Sequence, residues 1–335
     1  RLLPMTRVLV TGAGAVLGQG ILKSLARVGD RYTVHSFDPN PLSVGLHWTS
    51  QAGLLPLAND ASYAARVEQA LERVRPAVVL VGTDVELAIF AERRAAWEQR
   101  FDTHILVSPP EIIEVADDKY QTVEWLHANG LPYPETALAD DRAAVAALVE
   151  NCGFPVIVKP RRGARSVGVC LIHDRTSLDN AIVPGTDQIV QQYAGPEGEE
   201  YTAGILYFDG AVKAQIVLRR DLRDGNTYRA FSGDFPGCED YVRRVGEALK
   251  PHGPANFQFR RHASGEFKLF EINARFSGTT PMRALLGFNE VDMALRYLTD
   301  GQPVEQPAVT QGIVLRYLEE QLVTNDAVER LRAAG

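Results

Sequence analysis

Lys268-Leu269-Phe270-Glu271-Ile272-Asn273-Ala274-Arg275-Phe276-Ser277 is the stretch on which the reading of this chain turns. It reads as an apolar β-strand that delivers Glu, Asn and Arg in strict alternation. Successive side chains of a strand point to opposite faces, so Glu271, Asn273 and Arg275 emerge on one side. A carboxylate, an amide oxygen and a guanidinium there suit a hard cation and the anion it neutralises. Magnesium takes oxygen ligands and shares them with substrate phosphates. Taken alone, the segment reads equally as the solvated face of an edge strand. The preceding strand, Ala255-Asn256-Phe257-Gln258-Phe259-Arg260, adds a third donor. Paired with it as a hairpin through Ala263 to Glu266, it sets Gln258 opposite Glu271. Gln258, Glu271 and Asn273 would then surround one metal.

Working outward, Phe154-Pro155-Val156-Ile157-Val158-Lys159 is an apolar strand with Lys159 at its end. A loop with Arg161, Arg162, Gly163, Arg165, Ser166 and Gly168 follows. Cations and the backbone amides of small residues can wrap a polyphosphate; a charged surface hairpin is the plainer alternative, and no Walker loop is present. Next, Gln191-Gln192-Tyr193-Ala194 ends a strand, and the chain turns through Gly195-Pro196 before resuming at Glu200. A purine could bond that exposed backbone edge while the Glu200 carboxylate accepts ribose hydroxyls. An acidic surface loop explains the same residues. Near the start, Gly12-Ala13-Gly14-Ala15-Val16-Leu17-Gly18 joins a strand to a helix, with Asp38 at a distance suited to a ribose. Its third glycine falls one place late for a dinucleotide fingerprint, so a tight structural turn competes with a binding role.

Before residue 110, strands and helices alternate, which predicts a parallel sheet covered on both faces. Ser108-Pro109-Pro110 closes that unit. From Gln188 the chain turns β-rich, and Asp209-Gly210 is a hairpin signal. The expected organisation is a Rossmann-like parallel α/β domain over 1–110, a small α+β lid subdomain over 111–190 and an antiparallel-sheet domain over 191–335. At 335 residues, with 45% hydrophobic and 23% charged residues, the composition is that of a globular protein of several units. The net charge of −7 gives no basic footprint for nucleic acid. Three scattered cysteines argue against a disulfide framework. No apolar run reaches the roughly 20 residues a membrane span needs, and Arg1 to Pro4 read as a remnant ahead of Met5. A cytoplasmic location is expected.

Taken in this order and spacing, Ala116-Asp117-Asp118-Lys119-Tyr120-Gln121-Thr122, the Lys159 strand and loop, the Glu197–Thr202 turn, Asn256–Phe259 and Glu271–Thr280 resemble the ATP-grasp superfamily. The branch is that of the carbamoyl-phosphate synthetase large subunit and similar stand-alone ligases. The likeness runs from Arg7 to about Tyr317. It implies an ATP-grasp fold, with ATP and magnesium, or manganese in its place, as cofactors. Lys119 and Lys159 would touch nucleotide phosphates, and the loop with Arg161, Arg162, Gly163 and Ser166 would close over them. Gln191, Gln192, Tyr193 and Ala194 would hold the adenine and Glu200 the ribose. Gln258, Glu271 and Asn273 would bind metal. Arg275 would stabilise the transferred phosphoryl group, with Ser277, Gly278 and Thr279 beside the carboxylate substrate. Arg165 stands where many relatives keep a small residue, and no second synthetase half is present, which argues against carbamoyl phosphate synthesis.

The expected activity is therefore a carboxylate–amine ligase working through an acyl phosphate, with small carboxylates and amines as partners and neither nucleic acid nor membrane. A homodimer is expected from the resemblance alone. Asp84 or Glu86, just past a strand of the first sheet, could meet a substrate amine, while Thr83 or Asp84 could instead cap a helix. Arg219, Arg220 and Arg223 could reach a substrate carboxylate or form a solvated turn. Two other classes compete: an NAD(P)-dependent Rossmann oxidoreductase using the first glycine turn, and a non-catalytic ATP-binding regulator.

Overall fold

A computed structural model describes residues 5–163 and 167–334. The chain begins with β1 (Thr6–Val10), α1 (Val16–Ala26), β2 (Tyr32–Asp38), β3 (Gln51–Leu54), α2 (Tyr63–Val74), β4 (Val78–Leu80), α3 (Leu87–Phe101) and β5 (His104–Leu106). The five strands form a parallel sheet in the order β3-β2-β1-β4-β5. The alternation in β1 decides which side each helix covers. Val8 and Val10 pack with Ile21, Leu22 and Leu25 of α1. Leu9 faces the other way, into a core with Val67 and Leu71 of α2 and Phe90 of α3.

The second stretch holds α4 (Pro110–Asp117), α5 (Lys119–Ala128), β6 (Thr136–Leu138), α6 (Arg142–Cys152), β7 (Val156–Pro160), β8 (Cys170–Ile172), α7 (Arg175–Ala181) and β9 (Gln188–Gln192). Its strands make an antiparallel sheet, β6-β9-β7-β8. That sheet has its own core, in which Val156, Val158 and Val190 meet Val145 and Leu148 of α6 and Leu178 of α7. The small sheet runs on to Gln192, two residues past the boundary expected from the sequence. Helices α4 and α5 instead have side chains in the cores of the neighbouring units, with Ile113 in one and Leu126 in the other.

The remainder comprises β10 (Glu200–Phe208), β11 (Ala211–Arg223), β12 (Asn226–Phe231), α8 (Cys238–Leu249), β13 (Gly253–Arg261), β14 (Phe267–Asn273), α9 (Thr280–Leu285), α10 (Glu290–Asp300), β15 (Ile313–Leu315) and α11 (Asn325–Ala334). The six strands form one sheet, β14-β13-β10-β11-β12-β15. Asp209 (φ 51°) and Gly210 (φ 76°) close the β10–β11 hairpin with two left-handed residues, the backbone that a two-residue turn between twisted strands demands. One face of the sheet carries Phe257, Phe259, Leu269 and Ile272 against Val242, Val245 and Leu249 of α8. The other face, with Leu206, Ile216 and Leu218, shares a core with Val8, α1 and the α10 residues Val291 and Leu295. The first and last thirds of the chain are thereby packed as one body. Among the described residues no helix is long and apolar enough to cross a membrane.

The β13–β14 pairing sets Asn256 beside Asn273 and Gln258 beside Glu271, and the register then shifts so that Phe259 faces Leu269. The extra residue is Phe270. A bulge of this kind lets neighbouring residues share a face that regular alternation would deny them.

Candidate active site

A cleft opens between the small sheet and the large one. Each wall follows from strand register. β7 turns Ile157 and Lys159 into the cleft, β10 contributes Glu200, β11 contributes Arg220 and Leu222, and β13 contributes Gln258 and Arg260. Because of the bulge, β14 supplies both Phe270 and Glu271. Ile157, Val167, Val169, Leu222 and Phe270 give the walls apolar surface. Among the other lining residues, the cations Lys119, Lys159, Arg162, Arg220 and Arg260 outnumber the carboxylates Glu200 and Glu271. Apolar surface combined with excess positive charge suits a planar base with an attached polyanion.

Lys159 is buried, with Nζ donating to Gln191 Oε1 at 2.7 Å and lying 5.6 Å from the centre of the Phe270 ring. Burial, reinforced by the neighbouring Lys119 charge, lowers its ammonium to about pKa 7. Lys119 opens α5 and donates from Nζ to Gly163 O at 2.7 Å. Asp118 caps that helix through Tyr120 N and Gln121 N and takes the Arg161 guanidinium at 2.8 and 2.9 Å. The base of the arginine loop is thus pinned to the helix that carries Lys119. Arg161 corrects the expectation from sequence: its guanidinium engages Asp118 and does not line the cleft. Arg162 lines it while reaching Asp117 and Asp118. Ser166 and Arg165 lie outside the described residues.

At the end of β9, Gln192 donates its backbone N–H to Glu135 O. The backbone groups of Tyr193 and Ala194, which line the cleft, make no hydrogen bond to the described residues. An unpaired strand edge of this kind is the kind of surface a purine edge can bond. The side chains of Gln191 and Gln192 are occupied, by Lys159 and Thr136 for the first and by Lys268 for the second. Gly195 (φ 151°) turns the chain where a Cβ would stand 2.3 Å from Arg261 O, so only glycine fits. Glu200 is buried and held by two arginines: Arg220 donates to Oε1 at 2.7 Å, and Arg260 donates to Oε2 at 2.7 Å. Neither arginine was expected there from the sequence as a partner of Glu200. Alternation along β11 hinted at Arg220, because Arg219 turns to the opposite face and stacks on Phe231.

Glu271, Asn273 and Arg275 form a continuous row. Asn273 Nδ2 donates to Glu271 Oε1 at 3.0 Å, and Arg275 Nη2 donates to Asn273 Oδ1 at 2.9 Å. Across the hairpin, Gln258 Oε1 accepts from Arg220 Nη2 at 2.7 Å. The two amide oxygens that a metal would use are each capped by a guanidinium, so the site already demands positive charge at those atoms. One carboxylate and two amide oxygens on adjoining strands fit a hard divalent cation.

Arg275 also makes a two-point contact with Asp84, at 2.6 and 3.1 Å, which joins the row to the parallel-sheet domain. The turn that presents Asp84 is anchored by Glu86, whose buried carboxylate accepts from Thr11 and Tyr63 and is raised by burial to about pKa 7. Beyond Arg275, Ser277 and Thr279 are buried and spend their hydroxyls on each other at 2.6 Å. That contact uses one of the two hydroxyl protons, and Gly278 O accepts from Arg316. At the first glycine turn, Asp38 accepts from Gly14 N at 2.8 Å and from Ser43 Oγ at 2.6 Å. A Cβ on Gly14 would stand 2.2 Å from Ser43 Oγ, so the crevice where a pyrophosphate would lie is filled by the protein's own side chain.

Two family descriptions match this chain: ATP-grasp in the biosynthetic pathway with Ter operon, over residues 186–321, and the RimK-like ATP-grasp domain, over residues 116–231. The chain belongs to the ATP-grasp superfamily. Within curated ATP-grasp relatives, the D-alanine–D-alanine ligase of Ectopseudomonas mendocina is 30% identical over 178 residues, which cover 48% of this chain and 55% of that one. The carbamoyl phosphate synthase large chain of Thermomicrobium roseum is 23% identical over 324 residues, 87% of this chain and 29% of that one. The chain thus spans about half the length of the first and under a third of the second. Among solved ATP-grasp structures, N5-carboxyaminoimidazole synthetase from Staphylococcus aureus complexed with ADP superposes with a TM-score of 0.71 at 14% identity, over 91% of this chain and 80% of that one. That likeness concerns the fold.

Proposed function

We propose that this ATP-grasp protein is an ATP-dependent carboxylate–amine ligase that forms an amide through an acyl phosphate. The observation that carries the reading is the polar row Glu271–Asn273–Arg275–Asp84. It leads from a cation-lined cleft to the domain that would present the acceptor. The relatives named above, one of them a ligase that joins two amino acids, support the same chemistry. A Rossmann oxidoreductase is disfavoured by the filled crevice at Gly14.

In this reading the backbone of Tyr193 and Ala194 takes the base, and Glu200 takes the ribose from between its two arginines. Lys119, Lys159, Arg162 and the backbone near Gly163 receive the phosphates, and Ser166 belongs to the same loop. Gln258, Glu271 and Asn273 would hold magnesium, or manganese, which would supply positive charge against the phosphates. Arg275, at the end of that row, would meet the transferring group. A carboxylate oxygen then attacks the terminal phosphorus and ADP leaves. Phosphoryl transfer asks the protein for alignment and charge stabilisation, which Lys159 and Arg275 provide. An amine displaces phosphate from the acyl carbon in the second step. Water must be kept from the acyl phosphate, and the arginine loop, whose Arg161 and Arg162 hold Asp118, would serve as the cover.

Phosphate and ADP release, measured over a panel of small carboxylates with and without amines, tests the reading. Glu271→Gln should abolish ADP release while leaving nucleotide binding through Lys159 and the β9 edge; turnover retained in that variant refutes the assignment. Tight ATP binding with no turnover on any acid would instead support a regulator.

A further inference from the structure

Arg316 follows the edge strand β15, and its backbone N–H is fixed on Tyr228 O at 3.0 Å. From there the side chain reaches to the turn after β14, where Nη2 donates to Gly278 O. Arg275 occupies the other side of the same turn and donates to Phe276 O at 3.0 Å. Carbonyls two residues apart lie at most about 7 Å from each other, so the two guanidinium groups are anchored on one short turn. The Gly278 Cα also faces Val16 at the start of α1, where a Cβ would come within 3.2 Å. The turn therefore lies where the parallel domain meets the large sheet.

The two arginines differ in one respect. Arg275 has Asp84 as its counter-charge. Arg316 has no carboxylate within 4.0 Å among the described residues, and burial alone lowers its guanidinium from the ordinary value. Elsewhere in this protein the guanidinium groups drawn from water sit on carboxylates: Arg220 and Arg260 on Glu200, Arg283 on Glu290. The other N–H groups of Arg316 are not sealed in the interior. A half-buried guanidinium with open donors and no counter-ion lacks an anion.

We infer that Arg316 receives a second anionic group, carboxylate or phosphate, on the substrate whose reacting carboxylate lies at Arg275. The substrate is then a small dianion. The inference rests on the ligase reading for its reacting end, but the binding step is separable from catalysis.

The test pairs acids that differ in the second anionic group: succinate with butyrate and glutarate with valerate, each pair of equal length, and 3-phosphoglycerate with glycerate, which differ by the phosphoryl group. Dissociation constants are measured by calorimetry in the presence of a non-hydrolysable ATP analogue and magnesium, and ADP release is followed in parallel. Wild-type protein should bind at least one dianion about tenfold or more tighter than its partner, a difference of about 1.4 kcal/mol. Arg316→Gln should bring the pair to parity with unchanged analogue affinity, and Arg316→Lys should keep part of the preference. The phosphate and carboxylate arms identify which anion is taken. Equal binding of every pair by the wild type, or a preference that survives Arg316→Gln, overturns the inference. ADP release from monoanions with no dianion preference would keep the ligase and remove the role of Arg316. A dianion preference without ADP release from any acid would do the reverse.

Discussion

Nucleotide binding should consume a proton, and Lys159 is the reason. Burial and the nearby Lys119 charge hold its ammonium at about pKa 7 in the free protein. A polyphosphate placed against it favours the charged form and returns the group towards its ordinary value of about 10.4. The sign follows from linkage: the bound state holds more protons than the free state between those two values, so affinity falls as pH rises. With the free value at about 7, roughly half of the free protein carries the charge at pH 7 and about 1% at pH 9. Apparent affinity should therefore weaken by roughly 50-fold over that interval, or about 2 kcal/mol. At pH 8 about 0.9 proton should be taken up per nucleotide. Titration calorimetry of ATP analogue binding in phosphate and in Tris measures that uptake from the dependence of the heat on buffer ionisation. Lys159→Met should bind more weakly at pH 7 and lose both the uptake and the slope. No uptake at pH 8 in the wild type, or equal uptake in Lys159→Met, would refute the reasoning.

Asp84→Asn removes the charge that orients Arg275 by two points. Turnover should drop about 10- to 100-fold, as expected for one lost charge-assisted contact of about 1.5–3 kcal/mol, with nucleotide affinity unchanged. An equal loss in Asp84→Asn and Asp84→Glu of both turnover and analogue binding would argue for a folding defect instead. Gly195→Ala forces a Cβ onto Arg261 O and should weaken analogue binding at the β9 edge; wild-type affinity would show that this turn does not shape the site. Glu200→Ala strands Arg220 and Arg260 without their carboxylate. Such a break costs about 3–5 kcal/mol, to be read from urea denaturation, and an unchanged midpoint would show the pair to be solvated.

Much of the fold was legible because local patterns and tertiary needs agreed. The continuous apolar strands between helices gave the parallel sheet, and Asp209-Gly210 gave the β10–β11 hairpin of the large sheet. Hairpin arithmetic put Gln258 opposite Glu271, and the pairing is as expected. What escaped the sequence was non-local. Nothing in Phe270 announces a bulge, yet the bulge turns it into the cleft beside Glu271. β11 reads as ending near Arg219 because Arg220-Asp221-Leu222-Arg223 is too charged for an isolated strand. It continues because Glu200, from the neighbouring strand, neutralises Arg220. Short elements such as β6, β8, β12 and β15 are too brief to display a period. The mutual contact of Ser277 and Thr279 was not legible either, because it depends on how the turn closes.

The separate interior of the four-stranded sheet has a mechanical consequence. Its apolar residues come from β6 to β9, α6 and α7, whereas the two larger sheets are welded through a common interior. Turning the small sheet like a jaw against the others would open neither interior, and the edge proposed to take the base would travel with it. Glu271 and Asn273 would stay on the anvil. A triphosphate bound as proposed would reach from one to the other and clamp the jaw from within.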